Sequence, residues 1–149
     1  IYASDFSKLT LNDIWSKEAL SKSKIYRISK LESGIYENKN NEFVYHALPV
    51  EAQFSKVMDA IFVDVDGDEK KDIILGSNYY EMNAQIGRMD ADPGTVLMNK
   101  GNWNYEAKTF NTNQLRGQIR QFKWLNGNVW IAKNNGKLSR IDLGLNNDM

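Results

Sequence analysis

Between two apolar runs the sequence reads Asp64-Val65-Asp66-Gly67-Asp68-Glu69-Lys70-Lys71-Asp72, with acidic residues at the first, third, fifth and ninth positions. Alternating carboxylates in a tightly curled loop can all turn inward. Hard cations such as Ca²⁺ take six to eight oxygen ligands at short range, and a backbone carbonyl at the seventh position commonly adds one. The candidate ligands are therefore Asp64, Asp66, Asp68 and Asp72, with Lys70 contributing its carbonyl while its side chain points outward. Four carboxylates this close repel one another without a cation, so ion binding and loop order are expected to be coupled. Such loops turn sharply at the sixth position, where glycine is favoured, and Glu69 stands there instead. A positive φ at a residue with a side chain costs on the order of 1 kcal/mol, which should weaken the site. The plainer reading of the same residues is a solvated acidic hairpin with no ion.

Little else in the chain could do chemistry. His46 is the sole histidine and there is no cysteine. A Ser-His-Asp triad needs that one histidine beside partners that are not in evidence, and multi-histidine or thiolate metal sites cannot be built. No P-loop, dinucleotide glycine fingerprint or nucleophile elbow occurs. Glycosidase chemistry needs two carboxylates across a cleft, whereas the acidic residues here form one tight cluster. The expectation is a chain that is not an enzyme. Nineteen Lys plus Arg balance nineteen Asp plus Glu, which removes the bulk attraction a nucleic-acid binder uses. Hydrophobic residues at 42% and charged residues at 26% match a folded globular chain. No apolar run is long enough to span a bilayer. The start, Ile1-Tyr2-Ala3, has neither an initiator Met nor an apolar leader, so a piece of a longer, processed polypeptide is expected.

The elements that must position the Asp loop are strands. Short runs rich in β-branched and aromatic residues recur at 35–37, 43–48, 60–65, 72–76, 95–99, 105–110, 119–125 and 128–133, separated by Gly, Asn and Asp. Gly34 matches Gly94, Asn38 matches Asn99, Ile61 matches Phe122 and Ile74 matches Trp130, a repeat of about 60 residues. The second copy shortens the Asp loop to Leu125-Asn126-Gly127-Asn128, so one ion site is expected and no second. Four strands per repeat suggest propeller blades. The fold expected is all-β: two propeller-type blades of four antiparallel strands, residues 33–92 and 93–149, after an N-terminal segment, 1–32. In that segment Leu11, Ile14, Trp15, Ala19 and Leu20 approach helical spacing, which predicts a helix over 12–22 capped by Thr10 or Asn12. Ile25-Tyr26-Arg27-Ile28 reads as a further strand.

Asp64 to Asp72 followed by Ile73-Ile74-Leu75-Gly76 resembles the calcium loop of FG-GAP/VCBS repeats, the blades of integrin-α-like β-propellers. Leu48 to Ser55, Gly76 to Tyr80, Gly87 to Gly94 and Arg116 to Arg120 are similar to the C-terminal region of exported bacterial FG-GAP proteins related to the ASPIC/UnbV group. The resemblance implies Ca²⁺ held in blade loops for stability, export to the cell envelope, periplasm or extracellular space, and membership in a larger propeller. The rest of that propeller, or a second copy, would cover the exposed strand edges. The function expected is a calcium-stabilised, non-catalytic module that mediates binding or adhesion to an unidentified protein or glycan.

The alternative is a carbohydrate-binding or carbohydrate-processing surface protein, for which Trp103, Tyr105, Phe110, Phe122, Trp124 and Trp130 would offer stacking rings. Alternation assigns Phe122 and Trp124 to one strand face and Trp130 with Ala132 to another, a pattern that fills space between sheets. Tyr79 and Tyr80, beyond a strand end, are better placed for exposed contact. The Asn83–Asp92 connection gathers Arg88, Asp90 and Asp92, either as a self-organised loop or as a binding face. His46 is expected to be structural.

Overall fold

The computed structural model describes residues 2–110 and 112–143. The chain divides into two compact units, Ile1–Leu31 and Glu32–Met149.

In the first unit the expected single helix is three short ones, α1 (Ala3–Phe6), α2 (Leu11–Ile14) and α3 (Lys17–Lys22). Thr10 caps α2, and the Asp13 carboxylate accepts from its backbone N–H at 2.8 Å and its hydroxyl at 2.6 Å. The helix breaks at Trp15, whose backbone is extended, because the Ser16 hydroxyl accepts the Ala19 N–H and starts α3 anew. Glu18 and Lys22, four residues apart, close α3 with an exposed ion pair at 2.6 Å. Residues 25–28 are not a strand: no described strand pairs with them, and Ile25, Tyr26 and Ile28 are exposed.

The second unit is antiparallel β throughout, in three sheets. β1 (Gly34–Lys39) and β2 (Glu42–Ala47) form a hairpin. Its turn is Asn40-Asn41 at φ 53° and 69°, the left-handed backbone that a two-residue hairpin turn needs. β3 (Val57–Val63), β4 (Asp72–Ser77), β5 (Thr95–Asn99) and β6 (Tyr105–Thr109) form the central sheet in that order. β7 (Ile119–Leu125), β8 (Asn128–Lys133) and β9 (Ser139–Asp142) form the third.

The all-β class and the small helical N-terminus are as expected, but the sheet boundaries differ. The four-stranded sheet straddles residues 92 and 93, where one repeat was expected to end, and it is flanked by sheets of two and three strands. β3 and β7 each begin a sheet and each carries one irregularity, between Val57 and Asp59 and between Ile119 and Gln121. Matching strands along the sequence does not say which of them share a sheet. The boundary falls at 48–56, where the chain leaves β2 through a 3₁₀ turn, Val50–Gln53, instead of pairing β2 with β3. Gln53 fixes that departure: its carbonyl oxygen accepts the Ser33 N–H at 2.6 Å and its amide donates to the Ser33 and Leu48 carbonyls.

The central sheet is covered on both faces. Ile73, Leu75 and Leu97 point to one side and pack with Ala52, Ile35 and Leu48. Ile74, Val96 and Met98 point to the other and pack with Ile119, Phe122, Val129 and Ile131. β4 is consequently buried along its whole length, which is why it reads as an apolar run with no alternation. Asp59 ties the layers, its carboxylate accepting the Phe122 N–H at 2.6 Å. Gly76 lets them approach: a Cβ there would lie 2.7 Å from the Phe122 ring, 2.8 Å from Ile119 and 3.1 Å from the Asp59 carbonyl. Gly76→Ala should therefore destabilise by about 1–3 kcal/mol through overpacking, read as a lower urea midpoint. An unchanged midpoint would mean that the layers are less closely apposed.

Candidate metal centre

The Asp loop joins β3 to β4 and is folded by its own first residue. Asp64 accepts the Gly67 N–H at 2.7 Å on one carboxylate oxygen and the Glu69 N–H at 2.9 Å on the other. These bonds need left-handed backbone in the curl, supplied by Gly67 at φ 80° and Glu69 at φ 66°. Asp72 anchors the far end. It is 1% exposed, and its two oxygens accept the Val65 N–H at 2.9 Å and the Asn99 N–H at 2.7 Å. Asn99 completes the tie to the central sheet by donating its side-chain amide to the Lys71 carbonyl at 3.0 Å.

Asp64, Asp66 and Asp72 each direct a carboxylate oxygen into one cluster, all within 4.8 Å of one another. Oxygens that share one Ca²⁺ at about 2.3–2.6 Å can stand no more than roughly 5 Å apart, so the three are at ligand spacing. The donors are hard oxygens, the set preferred by Ca²⁺, Mg²⁺ or Mn²⁺ over softer metals.

Asp68 is not in this group. Its carboxylate turns to Lys70, accepting the backbone N–H at 2.9 Å and pairing with the ammonium at 2.7 Å. The hydrogen bond from the Lys70 side chain, followed by its backbone N–H, holds the Asp68 carboxyl below its ordinary range; the same pairing raises the Lys70 ammonium. The Lys70 side chain, expected to point outward, thus closes on its neighbour two residues back. Sequence reasoning missed Asn99, which lies 27 residues from Asp72 and carries no local signal of its role.

Glu69 occupies the strained position foreseen for it. Glu69→Gly removes a side chain from left-handed backbone and should stabilise the metal-free chain by about 0.5–1 kcal/mol, after the entropy that glycine adds to the unfolded state. Denaturation in chelator checks this; a loss of stability would show that the Glu69 side chain matters to the loop. The β7–β8 connection is the tight turn Asn126-Gly127, φ 52° and 72°, with no carboxylate.

No family model, curated protein or solved structure matches the chain. The chemistry available to the loop is set by its own oxygens.

The other singled-out residues fall into place structurally. His46 is half-buried, 2.9 Å from the Glu37 carboxylate and stacked on Trp103 with ring centroids 4.7 Å apart. Phe122 is buried between sheets as expected, but Trp124 and Trp103 are 40% and 39% exposed, Trp124 near the end of β7 and Trp103 in the turn between β5 and β6. Tyr79 and Tyr80 are half-buried rather than open. Lys56 and Arg120 lie over the Tyr79 ring and Arg88 over Tyr80. The Asn83–Asp92 connection is self-organised. Arg88 pairs with Asp90 at 3.2 Å, and buried Asp92 accepts from the Gly94 and Thr95 N–H groups and the Thr95 hydroxyl.

Proposed function

We propose that this chain is a non-catalytic, Ca²⁺-stabilised β-propeller repeat module of an exported or cell-envelope protein, acting in binding or adhesion. The observation that carries the proposal is the convergence of Asp64, Asp66 and Asp72 at the tip of a hairpin whose base is locked into the central sheet by Asp72 and Asn99. A cation bound there neutralises three carboxylates and fixes the β3–β4 connection against β5. Such a site contributes to stability rather than turnover. One of its three carboxylates, Asp72, has both oxygens committed to backbone N–H groups, which fits a structural ligand.

Export is supported by the strength expected of the site. Three carboxylates, a fourth diverted to Lys70 and strain at Glu69 make a weak binder. Weak sites, with dissociation constants of about 10⁻⁴–10⁻³ M, suit the calcium concentrations outside cells. Among the described residues no helix is long and apolar enough to cross a membrane.

The propeller reading rests on face-to-face stacking of repeated sheets. Ile35 packs inward on the central sheet, and alternation turns Tyr36 and Phe43 to the opposite face. The two rings meet edge to face there, with Phe43 70% exposed. In the central sheet the corresponding face, carrying Leu97, is packed by Ile35 of β1 together with Leu48 and Ala52 of the segment after β2. A further sheet, from a longer polypeptide or a second copy, would cover the aromatic face in the same way. The test of the function is calorimetric titration with Ca²⁺: saturable heat is expected from the native chain and none from Asp66→Ala. A native chain silent at several millimolar calcium would remove the proposal.

A further inference from the structure

The first unit has no core of its own. Every residue from 2 to 31 except Leu20 is exposed, and none of α1, α2 or α3 buries a side chain. Ten of the twenty-one exposed large apolar side chains among the described residues lie in this stretch, Phe6, Trp15, Tyr26 and Ile28 among them. Several are gathered rather than scattered: Leu11, Trp15, Leu20, Ile25 and Tyr26 line one open groove of about 480 Å³. Helices of four to six residues are marginal in water by themselves, so an apolar phase outside the unit is needed to hold them. We infer that this phase is an anionic lipid bilayer, on whose surface residues 11–30 lie.

Charge selects the partner. The chain as a whole is neutral, nineteen cations against nineteen anions. The balance is split along it. Residues 1–31 hold Lys8, Lys17, Lys22, Lys24, Arg27 and Lys30 against Asp5, Asp13 and Glu18, six against three or a net +3, and the remainder holds thirteen cations against sixteen anions, a net −3. From 17 to 30 five cations face Glu18 alone, and this stretch supplies most of the groove.

An acidic protein would answer the same surplus, but the cores of protein interfaces are depleted of lysine. Here Lys17, Lys22, Lys24 and Lys30 interleave with the apolar side chains. A bilayer surface takes that mixture. Trp and Tyr settle at the level of the headgroups, while lysine stems lie along the apolar layer and their ammonium groups reach the phosphates. Lys24 already lies along a ring in this way, its ammonium 4.9 Å from the Tyr26 centroid. Spanning takes about twenty consecutive apolar residues, whereas short helices with exposed apolar and basic residues lie in the interface.

The experiment is co-sedimentation of the full chain, in chelator, with vesicles of phosphatidylcholine alone or with roughly a third of the lipid replaced by phosphatidylglycerol. Binding to the anionic vesicles is expected to be at least about tenfold tighter, and to weaken about tenfold when salt rises from about 0.1 to 0.5 M and the screening length more than halves. Lys24→Glu combined with Arg27→Glu, both exposed and outside any helix or strand, should weaken it at least about tenfold, since each charge near such a surface is worth roughly fivefold. Ile25→Ser, exposed in the same stretch and neutral in charge, should weaken it roughly tenfold through lost apolar burial. Lys123→Glu, an exposed reversal on β7, should leave binding as it was. No sedimentation with either vesicle, the result if a protein covers the groove instead, would overturn the inference. So would equal affinity for the two vesicle types, as large a loss from Lys123→Glu, or indifference to Ile25→Ser, which marks adsorption by charge alone. Asp66→Ala should bind vesicles as the native chain does, so a failure of the calcium reading leaves this surface standing and the reverse holds too.

Discussion

Asp72→Ala is expected to destabilise the metal-free chain by about 2–6 kcal/mol, since it leaves two part-buried donors unsatisfied at about 1–3 kcal/mol each. The two donors are the Val65 and Asn99 N–H groups, bound at 2.9 and 2.7 Å by a carboxylate that is 1% exposed. The loss is a large share of the roughly 5–15 kcal/mol that holds a domain together. Asp72→Asn keeps one acceptor oxygen and should lose roughly half as much. Urea denaturation in the presence of chelator isolates this effect from metal binding. A change under about 0.5 kcal/mol would mean that the Asp72 carboxylate does not clamp the two strands.

The second large effect is calcium itself. Asp66 is exposed and makes no hydrogen bond among the described residues, yet its carboxylate stands within 4.8 Å of those of Asp64 and Asp72. In chelator, Asp66→Ala removes repulsion from Asp64 and Asp72 along with a weak, solvent-screened attraction to the Lys70 ammonium, so the metal-free stability should change little. Calcium at about a hundred times its dissociation constant should stabilise the native chain by about 2.7 kcal/mol, or roughly 5–10 °C in Tm for a chain of this size. In Asp66→Ala that rise should vanish. The pair of results separates a metal ligand from a structural residue: Asp72 matters with or without calcium, and Asp66 only with it. A melting temperature that calcium does not move in the native chain would contradict the proposal.

The Asp loop was legible in the sequence because its geometry is local. Asp64 closes the curl on N–H groups three and five residues away, and the demand for left-handed backbone at Glu69 follows from position alone. The diversion of Asp68 was less so. The sequence places Lys70 two residues away, but which neighbouring charge a flexible ammonium selects depends on the folded curl. Partners distant in sequence left no trace: Asn99 for Asp72, Phe122 for Asp59, Glu81 for Gln118.

At the level of the fold, strand spacing disclosed the class but not which strands share a sheet. Propensity marks strands one at a time, whereas sheet membership is decided where the chain turns away, at the Gln53-braced segment after β2. β9 carries little strand signal, because Ser139–Asp142 is four residues long with a single β-branched residue. Apolar spacing continues across Trp15-Ser16 and so predicts one helix there, while the Ser16 hydroxyl supplies a new start.

The most direct measurement is X-ray diffraction from crystals grown with calcium, collected at a wavelength where the ion scatters anomalously. An anomalous peak is predicted among Asp64, Asp66 and Asp72, with their oxygens about 2.3–2.6 Å from it. Asp68 should still be paired with Lys70, or be drawn in from it as a fourth carboxylate. A loop that retains these three carboxylates in place with no peak between them, at calcium concentrations of several millimolar, would contradict the account.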